Sequence, residues 1–158
     1  MTHSVFLLQT PLVGLEKLGD VLQGGYPAAL RHVGVLVASP RRTLLLDWLP
    51  AEPTAPRTAL LLLSGNSVPA VLRSRALRAG AAPHERWHRA LPLGLVRPEL
   101  AGAGLLGESE ADAELDAALR GWHDSCGDRW ARVRLRDRNC RTYARELCSF
   151  LTGSQVVL

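Results

Sequence analysis

Lysine is nearly missing from this chain: Lys17 is the only one among 19 basic residues. The remaining basic charge is arginine, mostly scattered (Arg31, Arg57, Arg97, Arg120), with one denser stretch over residues 129–145. Aromatic residues make up 5% of the chain, and no aromatic platform accompanies that stretch. A net charge of +4 therefore does not point to nucleic acid as a partner. Cysteine is also scarce. Cys126, Cys140 and Cys148 form an odd set of three, too few for a disulfide framework. A reducing compartment, cytoplasmic or nuclear, is the expectation, and there a thiol stays free. Long apolar runs are absent too. The longest, residues 59–63, is far short of a membrane span. The opening MTHSVFLLQTPLVG lacks a basic segment and is broken by Gln9 and Pro11, so no secretory leader is expected.

What remains is the profile of a globular protein, with 158 residues, 47% hydrophobic and 22% charged. The length suits one domain over residues 1–158. Residues 4–9, SVFLLQ, predict a strand that ends at proline, and residues 12–22 a short helix closed by Gly24 and Gly25. RHVGVLVA (31–38) and TLLLDWL (43–49) predict a hairpin across SPRR. TALLLL (58–63) reads as a third strand, since it is short and ends at SGN. Residues 67–79 read as a helix with Arg73, Arg75 and Arg78 toward solvent, and residues 80–107 as an irregular loop or lid. A long helix is expected from Ser109, as N-cap, to Cys126. WARVRL (130–135) alternates as a half-exposed strand, and a last helix starts at Asn139. The class is α+β: a small, mainly antiparallel sheet packed with helices.

That last helix carries the chemistry. Asn139 is a good N-cap, which puts Cys140 at the first helical position. Free backbone N–H groups and the helix dipole favour an anion there, lowering a thiol pKa, and Arg138 and Arg141 act in the same direction. The same N–H groups suit a developing oxyanion. A second reading stays open: Cys140, Tyr143, Ala144, Leu147 and Leu151 follow the spacing of a buried stripe, with Cys140 a silent core residue.

A thiol nucleophile needs a base. Of the five histidines, His32 is the one on a predicted strand. If Ala38 to Arg41 form the turn, Val37 pairs with Arg42 and His32 falls opposite Asp47. Opposed residues share a face, so Asp47 would orient the imidazole as the third member of a triad. A strand-end histidine and a turn-capping aspartate are the plainer alternatives.

The segments VFLLQTPLVGLEKLG, LQGGYPAALRHVGVLV and NCRTYARELCSFLTG together resemble the PPPDE superfamily, the DeSI-type desumoylating isopeptidases. That resemblance implies a permuted papain-like fold, with His32 as base and Cys140 as nucleophile, in that chain order. It implies a dyad; Asp47 comes from the hairpin count. It also implies an oxyanion site at Asn139 and the N–H groups after it, aided by Gln9 from the first strand. The expected function is a cysteine hydrolase of isopeptidase, peptidase or thioesterase type. The implied partner is a protein substrate such as a ubiquitin-like conjugate, with no cofactor and no metal required. The lecithin:retinol acyltransferase and NlpC-like group shares the strand histidine and the Asn-Cys helix start, so acyl lipids and other thioesters stay open. The oligomeric state is unknown. A non-catalytic peptide- or protein-binding module that kept the fold is the alternative.

One rival motif is present. His84, Glu85 and His88 match H-E-x-x-H, the zinc-peptidase pattern, with Glu99 as a candidate third ligand. Pro83 and Pro92 leave that helix about two turns, and Arg86 sets a positive charge between the two ligands.

Overall fold

The computed structural model describes residues 2–11, 31–78, 89–102 and 107–157. The predicted helix at 12–22 and the histidines of the H-E-x-x-H motif lie outside them. Among the described residues are six strands and three α-helices. In chain order they are β1 (Ser4–Pro11), β2 (Arg31–Ala38), β3 (Arg42–Pro50), α1 (Pro56–Leu63), β4 (Val68–Arg78), β5 (Arg89–Leu95), α2 (Glu108–Cys126), β6 (Arg132–Val133) and α3 (Cys140–Thr152). The strands form one antiparallel sheet in the order β5-β1-β2-β3-β4-β6. The class is therefore α+β, as the residue pattern indicates. Among the described residues no helix is long and apolar enough to cross a membrane.

Five expectations change, each for a physical reason. Residues 58–63 are helical rather than extended. Pro56 presets the first turn, the leucine run holds no β-branched residue, and Gly65 at φ 81° helps end the helix. Residues 68–78 form a strand rather than a helix, because β3 offers a pairing edge along its whole length, from Arg42↔Arg78 to Pro50↔Ala70. Residues 80–107 are not all irregular, since they hold β5 and a 3-10 turn at Pro98–Leu100. The strand expected at 130–135 shrinks to Arg132–Val133, because Gly127–Trp130 is wound as a 3-10 turn. Helix α2 also starts earlier than Ser109: Gly107 is its N-cap, and its N–H donates to Glu110 Oε2 at 3.1 Å.

The core lies between one sheet face and α3. Val33, Val35 and Val37 of β2 alternate toward it, as do Leu44, Leu46 and Trp48 of β3. They meet Tyr143, Ala144, Leu147, Cys148 and Leu151 of α3, all fully buried. Trp48 stacks on Tyr143 with centroids 5.7 Å apart, and its Nε1 donates to the Trp130 carbonyl at 2.8 Å. Such an aromatic block fixes α3 against β2 and β3 and so sets where the helix begins. The opposite sheet face carries a smaller cluster of Leu8, Leu36 and Leu45.

Candidate active site

Asn139 caps α3. Its side-chain oxygen accepts from the N–H groups of Arg141 at 3.0 Å and Thr142 at 3.1 Å, and its Nδ2 donates to the Leu135 carbonyl at 2.9 Å. Cys140 is the first helical residue and is half-buried. The sulfur lies beside the His32 ring and the Val33 N–H, and both favour its ionised form. Two residues more than a hundred positions apart are thus in direct contact. This happens because α3 packs on β2, with its N-terminus at the strand end where His32 stands.

The hairpin register differs from the expected one by two residues. The turn centres on Pro40 and Arg41, with Ser39 N–H donating to the Arg42 carbonyl at 2.8 Å. Val37 then pairs with Leu44, and the ladder runs on to Val35↔Leu46. Continued one step, it sets Asp47 across from Gly34 and diagonal to His32. The hydrogen bond survives the shift: His32 Nε2 lies 3.1 Å from Asp47 Oδ1. Gly34 is the reason. A Cβ built there would stand 2.7 Å from Asp47 Oδ1, so only glycine leaves room for the carboxylate to lean over the strand toward the imidazole. An isolated glycine inside a valine-rich strand was the signal available in the sequence.

The same carboxylate is bound from its other side. Arg75 NH2 donates to Asp47 Oδ2 at 2.9 Å, and Arg73 NH2 lies 3.8 Å away. Both arginines were expected to face solvent from a helix. Strand β4 instead lays them beside Asp47, whose side chain is 5% exposed. Burial raises the Asp47 pKa, but the His32 bond and charge and then Arg75 outweigh it and hold the acid below its ordinary value. Burial likewise works against a charged His32, yet the bonds to Asp47 and Cys140 and their charges lift its pKa to about 9. Burial pushes the Cys140 thiol up, while His32, the Val33 N–H and Arg141 bring it below its ordinary value. Both directions favour transfer of the thiol proton to the ring.

The pair opens on a cleft of about 440 Å³. Its walls are Trp48, Leu49 and Pro50 from β3, Pro53, α1 through Thr58, Ala59, Leu62 and Leu63, then Val133, Leu135 and Asn139. The contribution of α1 was not legible in the sequence, where that segment reads as a strand.

Of the predicted site residues, Cys140, His32, Asp47 and Asn139 are brought together. As oxyanion donor, however, Asn139 is largely spent, its oxygen on the cap and its amide on Leu135. Gln9 sits on β1 opposite Val33, its oxygen takes a hydrogen bond from Arg31 NH1 at 3.0 Å, and it is not part of the cleft wall. The other two thiols differ from each other. Cys148 is fully buried, while Cys126 is half-buried. Glu99 is exposed on the Pro98–Leu100 turn. Comparison with protein-family models, curated proteins and solved structures gives no match to this chain.

Proposed function

We propose that the protein is a cysteine hydrolase of permuted papain-like build, cleaving an amide, isopeptide or thioester bond. The observation that carries the reading is the convergence of Cys140, His32 and Asp47 at one end of a cleft, with the sulfur at a helix N-terminus. The Asn139 side chain takes the N–H groups of Arg141 and Thr142, and the Cys140 N–H with the positive end of the helix dipole matches the charge of both a thiolate and an oxyanion. The chain order of histidine strand before cysteine helix supports the permuted arrangement, as does the resemblance of NCRTYARELCSFLTG to the DeSI-type helix. A ubiquitin-like or other acyl conjugate is the substrate class that resemblance implies.

In the mechanism, the Cys140 thiolate adds to the carbonyl carbon. The oxygen takes the negative charge and is received by the Cys140 N–H at the start of α3. His32, protonated and steadied by Asp47, gives its proton to the leaving group as the carbonyl re-forms. Water then attacks the acyl-enzyme while His32 takes its proton, and the acid product departs.

The test is alkylation by iodoacetamide near neutral pH, read by peptide mapping. Cys140 should react well ahead of Cys126 and Cys148, and His32→Ala should slow it roughly 10-fold or more. Equal, sluggish labelling of all three thiols overturns the hydrolase and favours a non-catalytic binding module.

A further inference from the structure

We propose that Arg75 is a positioning residue of the site: from the neighbouring strand it fixes the Asp47 carboxylate in the orientation that keeps the His32 ring turned toward Cys140. This rests on the hydrolase reading and adds to it a residue outside the cleft wall. Alternation puts Arg73 and Arg75 of β4 on the same sheet face as Asp47 of β3. Arg73 stands directly opposite Asp47 in the register, while Arg75 pairs with Leu45 and is the diagonal neighbour of Asp47. The diagonal residue makes the closer contact. Its Nη2 donates to Asp47 Oδ2 at 2.9 Å, whereas the Arg73 nitrogen stops 3.8 Å from the same oxygen. The other oxygen, Oδ1, lies 3.1 Å from His32 Nε2. Each carboxylate oxygen thus has its own partner, and the two partners stand on different strands.

The β2 side does little to hold the acid. Gly34 carries no Cβ there, where one would meet Oδ1 at 2.7 Å. The room that admits the carboxylate also lets it turn. An aspartate rotates about χ2 over a broad range, and a rotation that takes Oδ2 off Arg75 also takes Oδ1 off the ring. The Asp47 side chain is 5% exposed, so water is a poor substitute partner for an oxygen released in this way. Arg75 supplies the missing constraint. It supplies charge as well: burial raises the Asp47 pKa, and Arg75 follows His32 among the groups that bring it back down. Arg75 itself is 54% exposed. An ion pair open to solvent contributes little to folding, so the effect of this one falls on the orientation of the acid and is read in rate.

The experiment is a double-mutant cycle between Arg75→Gln and Asp47→Ala in the whole chain, with p-nitrophenyl acetate as the acyl probe. Arg75→Gln should lower kcat about 10-fold and change KM less than about 2-fold, since Arg75 lies outside the cleft wall. In the Asp47→Ala background, where both oxygens are gone, the same substitution should cost less than about 2-fold, because its effect passes through the carboxylate. Arg75→Lys keeps the charge and an N–H donor, and the contact uses one nitrogen, so most of the loss should be recovered. Arg73→Gln should cost less than Arg75→Gln. Proton NMR reads the geometry without substrate: the ring N–H held by Asp47 should give a slowly exchanging downfield resonance, shifted or lost in Arg75→Gln. Losses that add across the cycle, or a lowered Tm with kcat and the ring proton unmoved, overturn the positioning role and leave the hydrolase standing. Native protein that neither turns over the ester nor shows selective alkylation of Cys140 overturns the hydrolase, and the role of Arg75 with it.

Discussion

Replacing Gly34 with alanine adds one methyl group where β2 passes the Asp47 carboxylate. The new Cβ would lie 2.7 Å from Asp47 Oδ1, 3.3 Å from Leu45 Cδ1 and 3.3 Å from the Leu46 carbonyl. A carbon and an oxygen settle at ~3.3–3.6 Å, so the carboxylate must retreat by about 0.6 Å or more. It cannot retreat freely, since Arg75 holds its other oxygen at 2.9 Å and the side chain is 5% exposed. The oxygen displaced is the one bonded to His32 at 3.1 Å, and adding ~0.6 Å to that leaves no hydrogen bond. A hydrogen bond to a charged partner contributes ~1.5–3 kcal/mol, equivalent to about 1–2 pH units in the titration of the ring. The His32 imidazole, raised to about 9 in the native protein, should therefore titrate lower by that amount. NMR of the histidine rings across pH measures this without any substrate. Crowding should also cost ~1–3 kcal/mol of stability, visible as a lower Tm. A Gly34→Ala protein whose His32 still titrates near the native point would refute the argument that this glycine exists to admit the carboxylate.

Three further outcomes are expected. Asp47→Asn keeps the shape and removes the charge, so the His32 titration should again fall by ~1–2 units; an unmoved ring would mean the sulfur alone holds its proton. For hydrolysis, activity should rise with pH as Cys140 ionises below the ordinary thiol range, then fall through about pH 9 as His32 loses the proton owed to the leaving group. A rate that keeps climbing well beyond that point contradicts the assignment. Asn139→Ala leaves the Arg141 and Thr142 N–H groups without their cap, costing ~1 kcal/mol and lowering Tm by ~2–4 °C. An unchanged melting curve counts against the cap.

Much of the site is local and was therefore legible early. Asn139 before an amphipathic run specifies a capped helix start, and that alone sets Cys140 at the positive end of the helix dipole. The apolar runs at 31–38 and 43–49, parted by SPRR, specify two strands and a short turn, which brings His32 and Asp47 to the same region. These features follow from caps, periodicity and turn chemistry within a few residues, which is why no fold is needed to see them.

Tertiary structure decided the rest. The hairpin register moved by two because the turn centres on Pro40 and Arg41, one position later than counted. Sequence spacing cannot separate those turns, since both keep the same faces buried. Residues 68–78 are a strand because β3 needs a partner, and Arg73 and Arg75 thereby become counter-ions for Asp47 while staying exposed to solvent. Residues 56–63 form a helix that walls the cleft, although six residues of TALLLL suit a strand as well. A chain's own propensities fix which short segments can form. Which partners they meet, and so whether an imidazole touches a sulfur, depends on packing between residues that the sequence holds far apart.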